Sequence, residues 1–348
     1  MRFPLSLSIA MGLYIGCNRL AGRKFFPMVL MLEPLHACNL HCAGCGRIRE
    51  YADTVNERMS LDECINAVKE CASPTVSICG GEPLIYPEIV ALTDYIIREG
   101  RHIYLCTNGQ CLSERLPDFT AVAKRNKRFW KHLFWNVHLD GMSATHDAIT
   151  GKTGSFDKAV EGIRDAKKLG YYVYTNTTLY SQTTVDELVE LGKVLMELKV
   201  DGMMIAPAYG YEAVQDNSIF ITREQTYAKF REIRSRMQGF RLTTTPTFMD
   251  FLCGERELTC AAWANPTRNI RGWKSPCYLL TDKHCATYKE LIEATDWSRI
   301  GHNNDPRCEH CLMHCGFEPA AVLCANGVSD VFRLAKWQFG GFIKSKQS

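Results

Sequence analysis

The chain has 348 residues, 46% of them hydrophobic and 23% charged, with a net charge of +3. At roughly 100–200 residues per domain this length suggests about two domains, and the composition excludes a disordered or collagen-like chain. No stretch reaches the roughly 18 uncharged apolar residues of a membrane-spanning helix, and 41 basic against 38 acidic residues is too even to indicate a nucleic-acid partner. The excess lies in cysteine. Seventeen thiols are too few for a small disulfide scaffold, and their clustering in a chain of this size reads as metal ligation in a reducing cytosol.

Residues 3–17 follow Arg2 with the look of a short signal-peptide core, and Leu13 to Cys17 imitate a lipoprotein cleavage box. A thiol cluster must be assembled among reductants, so a cytoplasmic chain is expected instead. Wound as a helix, residues 5–21 are apolar over most of the circumference, and Arg19, Arg23 and Lys24 place positive charge at its end. Such a helix either packs on the main domain or lies in the inner face of the cytoplasmic membrane, where apolar burial and anionic lipid both contribute. From residue 28 onward, short apolar runs alternate with amphipathic stretches. Strands are expected at 28–34, 75–79, 102–106, 133–139, 171–179 and 202–207. Ser60 with Glu63 forms a capping-box pattern ahead of a helix at 61–71, and 87–99, 155–169 and 184–199 also carry helical periodicity. This alternation predicts six parallel βα units over 28–207.

After about residue 215 the pattern weakens and Cys, Trp and Pro become frequent. The expected division is an amphipathic helix (1–27), an α/β core (28–215) and a smaller Cys-rich C-terminal domain (216–348) covering the mouth of the core. Near the end, Phe332, Leu334, Trp337, Phe339 and Phe342 stand among Arg333, Lys336, Lys344 and Lys346. That mixture fits a docked terminal helix or a second membrane contact.

Cys38-x3-Cys42-x2-Cys45, directly after the first expected strand, is the strongest chemical signal. Three thiolates in one tight loop can hold three corners of a [4Fe–4S] cluster. Most such clusters have four Cys ligands, so three leave one iron open for chemistry. A zinc loop or a group of buried thiols are the plainer alternatives. The triad together with Gly80-Gly81-Glu82-Pro83 after the second strand resembles the radical S-adenosylmethionine (SAM) superfamily, whose partial (β/α)6 barrel matches the six units counted above. The resemblance implies SAM chelated to the open iron and cleaved by one electron to a 5′-deoxyadenosyl radical. Glu82 and the turn carbonyls would meet the methionine ammonium. Thr107-Asn108-Gly109 ends the third strand and His138-Leu139-Asp140-Gly141 the fourth, where parallel sheets bind ligands. Thr107, Asn108, His138 and Asp140 are therefore candidate nucleoside contacts, with Asn176 and the Ile205-Ala206-Pro207 backbone as weaker ones. The family often carries an aromatic residue before the third Cys; here Gly44 stands there, so adenine packing is expected from His41 or Tyr209.

The strings MLEPLHACNLHCAGCGRI, SICGGEPL, YLCTNG, VHLDG, DGMMIAPAYGYE, NPTRNIRGWKSPCYLL and CEHCLMHCGFE together resemble the adenosylhopane synthases of bacterial hopanoid biosynthesis, from the first helix to about residue 322. The resemblance implies a transferase that consumes SAM as co-substrate. Its 5′-deoxyadenosyl radical adds to the terminal alkene of diploptene, or a similar polycyclic triterpene, with electrons from a flavodoxin or ferredoxin. The alternative is a radical SAM enzyme that abstracts hydrogen from, or adenosylates, another lipid or a peptide. Addition leaves a tertiary carbon radical that needs a hydrogen atom, and Cys106, ending the third strand, is the candidate donor ahead of Cys79 and Cys111. A second group, Cys308-x2-Cys311-x3-Cys315 with Cys260 and Cys277 upstream, suggests an auxiliary metal site on Cys260, Cys277, Cys308 and Cys311, either zinc (with His310 and His314 as further ligands) or iron–sulfur; bracing of the small domain is the plainer reading. The aromatic residues Phe248, Phe251, Trp263, Trp273, Tyr278 and Phe317 suit either a tunnel for a rigid hydrocarbon or a core.

Overall fold

Alternating apolar runs and amphipathic helices produce one continuous sheet. The computed structural model describes residues 2–126, 129–324 and 327–339. Six parallel strands, β1 (Val29–Leu32), β2 (Thr75–Ile78), β3 (His102–Thr107), β4 (Leu133–His138), β5 (Tyr172–Leu179) and β6 (Gly202–Pro207), lie in sequential order. Crossover helices such as Leu61–Cys71, Ile89–Arg98, Ser155–Lys168 and Val185–Glu197 connect them, as the periodicity predicts. The Ser60 capping box forms: its N–H donates to the Glu63 carboxylate at 2.7 Å and its hydroxyl accepts from Glu63 N–H at 3.3 Å.

The sheet does not stop at the sixth unit. β7 (Thr267–Asn269) pairs in parallel with β1, and β8 (Gly272–Pro276) and β9 (Thr281–Cys285) follow antiparallel, giving the order β6-β5-β4-β3-β2-β1-β7-β8-β9. The C-terminal segment thus extends the core sheet at its β1 edge. This is the expected α/β fold: a partial (β/α)6 barrel followed by a Cys-rich C-terminal region.

Strand parity separates two faces. Ile103 and Leu105, Trp135 and Val137, and Val173 are fully buried against the helices. Their neighbours Tyr104 and Cys106, Asn136 and His138, Asn176 and Thr178, and Met204 are only half-buried and line the inner face of the curved sheet. At the amino-terminal end of the strands this lumen is closed by aromatic rings. Phe134 and Tyr174 form a cluster with Leu7, joined by Phe3, Tyr104 and Tyr172. Phe3 and Leu7, at the start of the N-terminal helix Leu5–Leu20, thus close this end, while Met11, Tyr14 and Ile15 pack on the cluster of Phe26, Met28 and Ala264. The helix leaves Leu5, Ile9, Leu13 and Leu20 exposed, as are Val331, Phe332 and Phe339 on the terminal helix Val328–Phe339. Phe342, Lys344 and Lys346 lie outside the described residues. No helix among the described residues is long and apolar enough to cross a membrane.

Of the aromatic residues weighed for a hydrocarbon tunnel, Phe248, Phe251 and Trp273 are packed as core, Trp263 is half-buried, and Tyr278 and Phe317 border a cavity. Phe251 stacks between Phe248 and Phe317. Trp273 is fully buried and donates to Glu70, Trp263 packs edge-on to Phe25 and Phe26, and the Arg47 guanidinium lies 4.2 Å from the Tyr278 ring centroid.

Candidate functional site

The loop leaving β1 carries Cys38, Cys42 and Cys45, all half-buried. It is held as a tight coil. Cys45 N–H donates to Cys42 O at 3.1 Å, and Ala43 N–H donates to Ile149 O at 2.8 Å. The Arg49 guanidinium donates to the carbonyls of Cys42 (3.1 Å) and Cys45. The thiols lie within electrostatic reach of one another, and burial pushes Cys38 up to about 11 and Cys42 higher still. The desolvated thiols of Cys38 and Cys42, with Cys45 beside them, form a site that a cationic core would relieve, because ligation takes the thiolate. Among the described residues no three His, Cys, Asp or Glu side chains converge on a single ion position. A cubane places each thiolate on a different iron, so three thiols spread around one loop fit it better than they fit zinc.

The Gly80-Gly81-Glu82-Pro83 turn is pressed against this loop. A Cβ on Gly81 would lie 1.8 Å from the Ala37 carbonyl oxygen, and one on Gly80, at φ +110°, would lie 2.5 Å from that of Leu35. Gly81 N–H donates to Leu35 O (3.0 Å) and Glu82 N–H to Ala37 O (2.9 Å). Only glycine permits this backbone-to-backbone approach. Pro83 then opens a short buried 3₁₀ turn.

Glu82 sits differently from the sequence expectation. Its carboxylate is buried and accepts from Leu84 N–H (2.9 Å), Thr107 Oγ1–H (2.8 Å) and Asn108 N–H (2.8 Å). Burial raises its pKa and these donors pull it back. The Thr107 hydroxyl also accepts from Gly109 N–H, and Asn108 Nδ2–H donates to Asn39 (2.7 Å) and towards Cys38 Sγ (3.8 Å). Glu82, Thr107 and Asn108 therefore lock the end of β3 to the cysteine loop.

His138 and Asn176 face the lumen. His138 Nε2 lies 2.6 Å from the Asp140 carboxylate. Burial opposes charge on the ring, but Asp140 outweighs it and the His138 pKa rises. Asp140 itself is fully buried and accepts from Thr178 N–H at 2.7 Å, so it holds His138 rather than facing the lumen. Asn176 Oδ1 is buried without a hydrogen-bond partner among the described residues, which fits an acceptor for a bound ligand. Cys106 lies on the same face one layer deeper. Its sulfur is 3.5 Å from Ser77 Oγ and 3.6 Å from Asn136 Nδ2, and burial raises its pKa. Cys79, also buried, faces Glu33 and Cys106, whereas Cys111 sits outside near Asn39.

Three residues escaped the sequence reading. A Cβ on Gly44 would lie 2.3 Å from Tyr180 Oη, so the Tyr180 ring fills the space that an aromatic residue at 44 would take. The Tyr211 ring covers Gly46 in the same way, while Tyr209 faces Cys311, Cys277 and Cys308 and His41 is exposed. The Tyr180 ring thus stands beside Cys42 and Cys45, whereas Tyr209 lies by the second cysteine group. Arg47 forms a buried ion pair with Glu33 (2.7 Å) and donates to Tyr278 O (2.8 Å). This pairing joins the segment after Cys45 to the segment after Cys277.

Residues 32–195 match the family model of the radical SAM superfamily. This segment is similar to radical SAM domains. Residues 203–333 match a domain of unknown function, DUF3463. The radical SAM family uses a [4Fe–4S] cluster and SAM. An AdoMet-dependent heme synthase of Methanosarcina barkeri is 27% identical over 176 residues, 49% of this chain and 48% of the relative. A GTP 3′,8-cyclase of Clostridium perfringens is 29% identical over 171 residues, 47% of this chain and 50% of that protein. The match thus spans about half the length of these curated relatives. In fold, the chain is similar to Streptococcus suis SuiB bound to the precursor peptide SuiA (TM-score 0.64, 14% identity, 84% of this chain and 73% of that one). It is also similar to anSMEcpe with bound AdoMet (TM-score 0.53, 16% identity, 90% and 98%).

Proposed function

We propose that the protein is a radical SAM transferase that adds the 5′-deoxyadenosyl group of SAM to the terminal alkene of diploptene, or a similar polycyclic triterpene, forming adenosylhopane. Cys38, Cys42 and Cys45 would hold a [4Fe–4S] cluster, which would supply the electron for splitting SAM into methionine and a 5′-deoxyadenosyl radical. The chain's own groups shape the fate of that radical. Tyr180 packs beside the triad, Asn176 Oδ1 and the Asp140-held His138 offer polar contacts to the nucleoside, and the Glu82–Thr107–Asn108 lock fixes the strand ends that carry the site. Addition needs the alkene within near-attack reach of the radical carbon, with no weaker C–H bond nearer.

The observation carrying this reading is the placement of Cys106. Addition forms a C–C σ bond from a π bond and leaves one unpaired electron on a tertiary carbon. That carbon takes the Cys106 hydrogen atom, leaving a thiyl radical; one electron from a flavodoxin or ferredoxin and one proton restore the thiol. The donor must be S–H rather than thiolate, and burial that raises the Cys106 pKa keeps the proton on sulfur. The long string resemblance to adenosylhopane synthases supports the lipid substrate. The exposed apolar residues of the first and last helices, with Arg19, Arg23 and Lys24 at the end of the first, support a peripheral contact with an anionic membrane.

The test is anaerobic incubation with SAM, a one-electron reductant and diploptene, followed by mass analysis of the lipid fraction. An adenosylated lipid is expected. Free 5′-deoxyadenosine with unmodified lipid would point instead to hydrogen abstraction from another substrate. Cys106→Ala should still cleave SAM yet give less, or stereochemically mixed, reduced adduct; unchanged yield and stereochemistry would remove Cys106 from the mechanism.

A further inference from the structure

Five thiols from four separate segments meet in the C-terminal region. Cys260 precedes a short 3₁₀ turn, Cys277 follows β8, Cys308 and Cys311 lie on one loop, and Cys315 sits in the first turn of the helix His314–Leu323. All five line one cavity. None is in a disulfide. Cys260 is within electrostatic reach of each of the other four, and its sulfur is packed so closely on Gly316 that a Cβ there would lie 2.4 Å away. Cys277 Sγ accepts from the N–H groups of Leu279 (3.4 Å) and Leu280 (3.3 Å). Neither His310 nor His314 lines the cavity.

We propose that this cavity holds a second [4Fe–4S] cluster ligated by Cys260, Cys277, Cys308 and Cys311. A donor set of thiols alone selects zinc or iron–sulfur chemistry. Structural zinc draws four donors to about 2.3 Å from a single point, whereas this cavity is shared by five thiols and the apolar side chains of Leu279, Leu280, Ile300 and Phe317. Thiols spaced around the walls of a cavity are instead what a cubane needs, since its four irons take one thiolate each. Backbone N–H groups aimed at a sulfur are a further feature of such ligation, where they offset the negative charge of the thiolates. Four protein ligands leave no open iron, so this cluster would not bind SAM as the N-terminal triad does. It would tie three chain segments together beside the radical SAM domain. The Tyr209 ring, next to this group, meets Tyr211, next to Cys45, edge-on at 5.0 Å between centroids, so aromatic contact connects the two thiol groups. The assignment does not depend on the lipid reaction.

The full-length chain is reconstituted anaerobically with iron and sulfide, and metal, sulfide and Mössbauer spectra are measured. Wild type should hold about eight irons, and a Cys38→Ala/Cys42→Ala/Cys45→Ala variant about four, with the Mössbauer signature of a cubane. An iron-free triple variant, or one zinc per chain without sulfide, overturns the proposal. Cys277→Ser should fall to about four irons while SAM binding persists. Retention of all the iron by that variant overturns it equally. Cys315→Ser should keep the full content; its loss there, with retention in Cys260→Ser, overturns the choice of fourth ligand.

Discussion

Glu82→Gln separates two roles that the sequence could not distinguish. If the carboxylate mainly contacts the SAM ammonium, the substitution weakens SAM binding and leaves the ligand-free protein as stable as before. The geometry predicts otherwise. Oε1 accepts from Leu84 N–H and Thr107 Oγ1–H, and Oε2 accepts from Asn108 N–H. A glutamine that keeps its oxygen at the doubly bonded site must turn its NH2 towards Asn108 N–H, donor against donor. The lost charge-assisted bond is worth about 1.5–3 kcal/mol, and the stranded buried donor costs about 1–3 kcal/mol. Removing a desolvated charge offsets part of this, leaving a net loss of about 2–4 kcal/mol. At a urea slope of about 1–3 kcal/mol/M, rising with chain length, the midpoint should drop by roughly 1 M. The assay is urea unfolding followed by far-UV circular dichroism, without SAM, with iron content measured in parallel. An unchanged midpoint together with weaker SAM binding would refute the brace and restore Glu82 as a ligand group.

Burial and charge set three more expectations. His102 stacks on His132 at 4.1 Å between centroids, and its pKa is lowered to about 4, first by burial and then by His132. A folded pKa below the unfolded value of about 6.5 means that this stability is present above pH 6.5 and is lost as pH falls towards 4. The loss is about 1.4 kcal/mol per unit, or about 2 kcal/mol by pH 5. His102→Phe should flatten that part of the acid limb in denaturant titrations; an identical limb would refute it. Arg47→Met leaves Glu33 buried and unpaired, so a destabilisation of about 3–5 kcal/mol is expected in the same titration, and less than about 1 kcal/mol would contradict a buried pair. Replacing Ile9, Leu13 and Phe332 together by Glu should abolish flotation with anionic vesicles while preserving the fold; equal flotation of variant and wild type would dismiss this face as the membrane contact.

The six parallel strands were legible because each is an apolar run bounded by polar turns, and burial on the helix face forces that pattern. β7 and β8 were not, because much of their burial is polar, and β9 was not, because Asp282 and Lys283 leave it largely exposed. Lys274 in β8 has no solvent exposure, yet it bonds the Tyr278 carbonyl (3.0 Å) and Glu50 (3.3 Å) and lies over the Tyr51 ring. Burial lowers its pKa to about 8. A strand stabilised by a compensated cation shows no hydrophobic alternation, so a reading by periodicity passes over it and ends the sheet too early.

The site divides along the same line. Cys38, Cys42, Cys45, Gly80 and Gly81 were readable because ligand spacing and close backbone approach impose residue types over short distances in the chain. The partners of that loop come from elsewhere. Tyr180 stands over Gly44 from the end of β5 and Tyr211 over Gly46 from beyond β6, and neither position has meaning until the strands curve. The Gly44 case shows why. A missing aromatic residue at one position leaves a space, and a ring some 136 residues away in the chain occupies it. Arg47 extends the argument to the second cysteine group. Its pairing with Glu33 ties it to β1, and its bond to Tyr278 O places it one residue from Cys277. One buried guanidinium therefore couples the position of the first thiol loop to that of the second, so a shift in either group must be felt by the other.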